Sequence, residues 1–285
     1  MKLSRLARAS IVFVALAMVP IAATASSSPQ WVPLKAPAPA WYTPELHQQV
    51  LAAGDQGVPL PAGVDIPASS LAFLGIRPGQ FIIVGGGTLC SSNFVFRNGS
   101  GYAIGTAGHC GRVGQQVTML VLPRLLVDIG NITKSVNQGV GNDFALISIK
   151  PSLNNIVSPS MAHWGGPTGP WTKAKAPTVV KHSGHGLVVG TGGTPRVGLG
   201  TVYKNLKEWR FIGAIVFGDS GSAANAASGQ AVGNITHISA YFGPGGVGTA
   251  AGTSIGRILQ IAGLPLARCP NIPWPLYGCP NNPLN

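Results

Sequence analysis

Carboxylates are the scarcest functional groups in this chain. Seven Asp and Glu stand against nineteen Lys and Arg in 285 residues, and charged residues of both signs make up only 9%. The formal charge of +12 therefore reflects missing acids rather than abundant bases. The Lys and Arg residues are scattered singly, without a basic run or an aromatic–basic alternation, so no surface is built to track phosphates and nucleic acid is not expected as a partner. Long apolar runs are missing beyond the first 25 residues, and no repeat of fixed period appears. His182 and His185 share a short stretch in which no acid or cysteine stands ready to complete a metal site, so no metal or other cofactor is expected.

What is present begins with export. Lys2, Arg5 and Arg8 precede the apolar stretch IVFVALAMVPIAA, and Ala23-Thr24-Ala25 follows as a small-residue cleavage pattern. Residues 1–25 read as a secretory signal rather than a stable membrane anchor, which makes the mature chain extracellular. Its loss leaves sixteen basic residues against seven acidic ones, a charge of +9. Residues 26–78 are rich in Pro, Ala and Ser and show no sustained period, the texture of an extended leader or pro-segment. The last stretch, 264–285, is too rich in proline for regular structure. The four cysteines of an exported chain favour disulfides over metal ligation. Cys90–Cys110 and Cys269–Cys279 are the pairs close in sequence, although four cysteines permit three connectivities.

Between residues 79 and 263 short runs of Val, Ile, Phe and Thr alternate with glycine clusters: FIIVGG, NFVFR, GYAIGTA, QVTMLVL, DFALISI, PTVVKH, RVGLGTVY and AVGNITHISA. Many short strands divided by turn residues predict an all-β barrel or sandwich. Asn98-Gly99 between alternating apolar residues predicts a hairpin. One helix is predicted, capped by Ser254 and carrying Ile255, Ile258, Leu259 and Ala262 at helical spacing before Gly263.

The sequence FGDSGSAAN at 217–225 places a serine among turn formers. A serine hydroxyl is a poor nucleophile unless a base takes its proton and a carboxylate orients that base. Of six histidines, His109 stands out: it ends the strand-like run GYAIGTAGHC beside Cys110. The carboxylates can be counted through. Glu45, Asp55 and Asp65 fall in the leader, Asp219 adjoins the serine itself, and Asp128 and Glu208 occupy polar, turn-like contexts that suit the surface. Asp143, in GNDFALISI, opens an apolar strand that would draw it inside, where a carboxylate needs a partner such as an imidazole N–H.

TAGHC at 106–110, NDFALI at 142–147 and GDSGS at 218–222, in that order, resemble the three active-site blocks of the chymotrypsin-like serine endopeptidases, in particular their secreted bacterial branch. The resemblance spans roughly residues 80–263. It implies two six-stranded antiparallel β-barrels with a short C-terminal helix, His109 as general base, Asp143 as its orienting carboxylate and Ser220 as nucleophile. It further implies an oxyanion hole formed by the backbone N–H groups of Gly218 and Ser220. Asp219 becomes the acid that holds the turn and needs a cationic partner. Ser222 and Ala223 after Gly221, and GNITHISA near the substrate edge, depart from the family pattern.

The reaction implied is hydrolysis of protein or peptide substrates by a monomer through an acyl-enzyme. The alternative is an inactive binding or adhesion domain on the same fold. An α/β-hydrolase esterase is disfavoured, since its order is serine, acid, histidine. Between Trp209 and Asn285 the only acid is Asp219, so no carboxylate is left to bind a substrate Lys or Arg. Ala214, six residues before the serine and followed by Ile215, Val216 and Phe217, suggests an apolar pocket. His237 offers a second possibility, acceptance of an acidic side chain.

Overall fold

The computed structural model describes residues 30–64, 75–122, 124–171, 177–186, 195–202, 206–239 and 247–269. In chain order the described strands begin with β1 (Trp31–Pro33), β2 (Ala36–Pro37), β3 (Val58–Pro59), β4 (Phe81–Val84), β5 (Thr88–Ser91), β6 (Val95–Asn98), β7 (Gly101–Thr106), β8 (Gln116–Leu122) and β9 (Leu125–Asn137). They continue with β10 (Asp143–Ile149), β11 (Thr178–Ser183), β12 (Pro195–Val202), β13 (Glu208–Ala214), β14 (Ala223–Ala226), β15 (Ala231–Asn234), β16 (His237–Ser239) and β17 (Val247–Thr253). Among the described residues two α-helices accompany them, α1 (Pro44–Ala53) and α2 (Ile255–Ala262).

The strands form two antiparallel sheets. One runs β2-β5-β4-β8-β9-β10-β7-β6, with β3 also paired to β9; the other runs β1-β16-β17-β13-β12-β11-β14-β15. Strands β5 and β6 are parted only by Ser92–Phe94, and β15 and β16 only by Ile235–Thr236. Counting each as one bent strand, β4–β10 and β11–β17 supply six strands to each sheet. Among the described residues the ladders do not close into rings. The hairpin expected at Asn98-Gly99 is present: Asn98 pairs with Gly101, and Gly99 turns the chain at φ 60°.

Each sheet buries its own apolar set. Ile82, Val95, Ile104, Met119, Ile132 and Ile147 fill the first, and Val180, Trp209, Phe211, Ile215 and Val232 the second. Strand β10 is buried along both faces except at Ser148, which is why its sequence reads as continuously apolar. Helix α2 starts where predicted, with the Ser254 hydroxyl accepting from the Arg257 N–H and Gly263 ending it in the left-handed region.

Residues 30–64 are more ordered than their composition suggests. Thr43 caps α1 by accepting from the Leu46 N–H, Pro44 opens the first turn where its missing N–H costs nothing, and Leu46 and Val50 face inward one turn apart. They pack with Tyr42, Leu60, Phe81, Ile83, Leu89 and Leu126 in one buried cluster on the first sheet. Two inward apolar positions are too few to register as a period. Asp128 also departs from expectation: it lies within β9, buried, with Lys150 Nζ 2.7 Å from its Oδ2. Glu208 is paired with Arg210 at 2.6 Å.

Candidate active site

Strand β7 delivers the chain into a single 3₁₀ turn, Gly108–Cys110, that carries His109. Gly108 is required there, because a Cβ would lie 1.9 Å from the Val136 carbonyl oxygen. The Cys90–Cys110 disulfide ties the turn to β5 across 20 residues of sequence. Strand β10 lies next to β7, with Ala145 opposite Thr106, and this register sets Asp143 beside the turn. Its backbone is fixed from the second sheet: Thr253 Oγ1 accepts from the Asp143 N–H at 2.9 Å, and Asn234 Nδ2 donates to the Asp143 carbonyl at 3.0 Å.

Asp143, with no exposed surface, accepts the His109 backbone N–H on Oδ1 at 3.0 Å and the His109 ring Nδ1–H on Oδ2 at 2.5 Å. A carboxylate can only accept, so the proton belongs on Nδ1 and Nε2 is left as the acceptor. Nε2 stands 2.6 Å from Ser220 Oγ. The structure therefore brings His109, Asp143 and Ser220 into one hydrogen-bonded chain across the two sheets.

The serine sits on the turn 216–222, held by hydrogen bonds from both sides. Gly221 N–H donates to the Ile235 carbonyl at 2.7 Å and Ser222 N–H to the Asp219 carbonyl at 2.9 Å. Ser91 crosses from the first sheet. Its N–H donates to the Ser220 carbonyl at 2.7 Å, and its hydroxyl donates to the Gly218 carbonyl at 3.0 Å while accepting from the His185 N–H at 2.9 Å. Gly218 adopts φ 99°, a conformation open to glycine. Its N–H lies 2.5 Å from the carbonyl oxygen of Leu34.

The sequence did not identify the cation that Asp219 needs. It is Arg196, on β12, bonded to Asp219 through Nη1 to Oδ2 and Nη2 to Oδ1. Asp219 also accepts the N–H groups of Gly186 and Val216, so a fully buried carboxylate is met by four donors. Ile82 lies in the middle of β4.

His237 is buried beside the triad. Its Nδ1 is 2.8 Å from Thr236 Oγ1 and 3.6 Å from Asp143 Oδ2, and its ring meets that of His109 edge-on. Burial, with His109 adding to it against the pull of Asp143, holds its pKa below the ordinary value. A neutral His237 leaves His109 without a competing cation. Ala214 ends β13 exposed, its carbonyl accepting from His182 Nε2 at 3.1 Å. His182 and His185 are buried apart from any group of three metal-ligating side chains among the described residues. Cys279, the expected partner of Cys269, lies outside the described residues.

Comparison with known proteins places this geometry on a familiar frame. No family model matches the chain, and no curated protein matches it. Among solved structures, a glutamic acid-specific serine protease described as using a histidine triad in substrate binding is similar at 19% identity and a TM-score of 0.50, over 67% of this chain and all of that one. Protease A of Thermobifida fusca is 23% identical, with a TM-score of 0.47 over 68% of this chain and 98% of that one. A Nocardiopsis protease is 25% identical, with a TM-score of 0.47 over 67% and 98%. The likeness to the glutamic acid-specific protease shows the fold: the two sheets are arranged as in the chymotrypsin-like serine proteases.

Proposed function

We propose that the chain is a secreted serine endopeptidase that hydrolyses peptide bonds through an acyl-enzyme. The observation that carries the reading is the chain of short contacts from Asp143 Oδ2 through His109 to Ser220 Oγ, at 2.5 and 2.6 Å.

Each group has a role that its surroundings support. His109 Nε2, unprotonated, takes the Ser220 proton as Oγ attacks the substrate carbonyl. Asp143 fixes the tautomer and stabilises the imidazolium that forms. The N–H groups of Gly218 and Ser220 receive the oxyanion, a contribution of about 3 kcal/mol per donor in such sites. His109 then returns the proton to the leaving amine, and water repeats the sequence on the ester. The substrates are proteins or peptides, taken by a monomer without cofactor, with apolar residues preferred before the scissile bond because Asp219, the only acid between Trp209 and Asn285, is already committed to Arg196. Export rests on the signal-like residues 1–25, which lie outside the described residues; among the described residues no helix is long and apolar enough to cross a membrane.

A fluorophosphonate probe followed by peptide mapping tests the reading, together with casein hydrolysis. Labelling at Ser220, lost in Ser220→Ala, with casein cleavage is the expected result. A protein that binds casein without labelling or cutting it is the inactive binding domain instead.

A further inference from the structure

Residues 31–37 run through the cleft between the two sheets. Strand β1 is the outermost strand of the second sheet, antiparallel to β16, with Trp31 opposite Ser239, Val32 opposite Ile238 and Pro33 opposite His237. Strand β2 is the outermost strand of the first, with Ala36 opposite Leu89 and Pro37 opposite Thr88. Between them Leu34 donates its N–H to the Thr236 carbonyl at 3.0 Å and accepts the Gly218 N–H on its carbonyl oxygen at 2.5 Å. Its side chain has no exposed surface and joins the buried cluster of the second sheet that contains Ile215, Phe211 and Val232. Lys35, the next residue, is exposed and borders an open hollow lined also by Thr88, His109, Gln115 and Ser135. Trp31 is seated under the Arg210 guanidinium, 5.2 Å from its ring centroid.

This is the way an extended peptide adds to a sheet edge, with main-chain bonds giving register and one buried side chain giving selectivity. The carbonyl that meets the Gly218 N–H, on the turn that carries Ser220, belongs to Leu34. We infer that the Trp31–Pro37 strand is this enzyme's first substrate, held in the cleft of its own chain so that the Leu34–Lys35 bond is the one Ser220 cuts, and that substrates with leucine at that position fit the same seat. The inference rests on the serine endopeptidase reading above.

The step balances as an ordinary hydrolysis. Ser220 Oγ bonds to the Leu34 carbonyl carbon as its proton passes to His109. The Leu34–Lys35 C–N bond breaks, and His109 gives that proton to the Lys35 nitrogen. Water then attacks the Leu34 ester, yielding a Leu34 carboxylate and a restored Ser220 hydroxyl. Until the cut strand leaves, the cleft is closed to other peptides. Residues from Lys35 onward remain held by α1 and its buried cluster.

The test follows the full chain, made under oxidising conditions, by intact mass and N-terminal sequencing. The expected result is a new N-terminus at Lys35, with a half-life unchanged over a hundredfold dilution because the strand and the serine share one chain. Lys35→Pro keeps Leu34 buried and extended but should stop the cut and hold fluorophosphonate labelling of Ser220 at least about tenfold slower than in the cut enzyme freed of residues 1–34, since the strand stays in place. The peptide WVPLKAP should be cleaved after Leu. Replacing that Leu by Glu or Lys should lower kcat/KM at least about a hundredfold, because a charge would enter an apolar seat.

A protein that labels at Ser220 and cuts casein while its 34–35 bond stays intact, or that cuts itself at a rate proportional to concentration, overturns the inference and leaves the endopeptidase reading standing. So does a peptide series in which Leu is no better than Glu. Failure of the wild type both to label at Ser220 and to cut casein overturns the endopeptidase reading, and the inference with it.

Discussion

Arg196 grips Asp219 with both terminal nitrogens, Nη1 2.5 Å from Oδ2 and Nη2 2.8 Å from Oδ1, while Nη2 also donates to the Gly184 carbonyl at 2.9 Å. Neither charge is left to solvent, since Asp219 is fully buried and Arg196 nearly so. The pair fixes the turn on which Gly218 and Ser220 sit.

Removing one member strands the other. Arg196→Met should lower stability by about 3–5 kcal/mol, the cost of leaving a buried carboxylate without its partner. It should also reduce kcat by displacing the Gly218 N–H. Arg196→Lys should recover only part, because an ammonium cannot reproduce the two-pronged contact. A double change, Arg196→Met with Asp219→Asn, should be less destabilising than Arg196→Met alone. Denaturant midpoints of the four proteins check this, and additive losses would contradict it.

On the proposed reading His109, Asp143 and Ser220 act as a unit. Ser220→Ala and His109→Ala should each lower kcat by several orders of magnitude, and the double variant should lose little more. Asp143→Asn should be nearly as severe, because an amide can present an N–H to Nδ1 and favour the wrong imidazole tautomer. Single-turnover rates on an activated ester measure all four; additive losses would remove the assignment.

Reduction of Cys90–Cys110 should loosen the His109 turn first. A bridge across 20 residues contributes about 3 kcal/mol in the chain-entropy description. Activity should therefore fall at reductant concentrations that leave far-UV circular dichroism unchanged. Alkylation and mass mapping of Cys90 and Cys110 provide the check, and full activity with both thiols free would refute it.

Acid should destabilise the second sheet through two buried histidines. Burial, then the Arg196 charge, pushes His182 down to about 3, and burial pushes His185 down to about 4. Each donates one ring N–H to a carbonyl, His182 to Ala214 and His185 to Gly79, and neither has a hydrogen-bond partner on its other nitrogen. Below pH 6.5 the unfolded chain binds protons that the native state refuses. Their stabilising contribution is thus full above pH 6.5 and is lost progressively as pH falls below it, until the native state itself takes up the protons, His185 near 4 and His182 near 3. Each costs about 1.4 kcal/mol per pH unit in that window. Melting curves between pH 6.5 and 5, where carboxylates contribute little, should show the slope, and His182→Asn with His185→Asn should flatten it. An equal slope in the double variant would contradict the assignment.

Much of this site was legible in the residues because the chemistry leaves few choices. With seven acids to count, the buried strand DFALISI singled out Asp143, and a histidine ending an apolar strand beside a cysteine singled out His109. The alternation of short β-branched runs with glycine named the fold class, and Ser254 with Gly263 marked the limits of α2. Where the signal was weaker, the reading was incomplete. Helix α1 leaves little periodic trace because only Leu46 and Val50 are apolar residues that face inward, beside the buried His47, although Thr43-Pro44-Glu45 carries a capping and first-turn pattern. The burial of Asp128 is not legible locally because its partner, Lys150, is 22 positions away.

The sequence by itself determined the chemical inventory: the residues proposed as nucleophile, base and acid, and a stretch from Trp209 to Asn285 whose only acid is Asp219. Those follow from composition and local pattern, which belong to the chain before it folds. Only the tertiary structure decided which groups meet. Arg196 reaches Asp219 because β12 and the 216–222 turn fold against one another, His237 is buried between Thr236 Oγ1 and the Asp143 carboxylate, and the cleft between the sheets has room for Leu34. Such contacts join residues from 23 positions apart, for Arg196 and Asp219, to well over a hundred, and they are set by sheet register and packing, which no local pattern encodes.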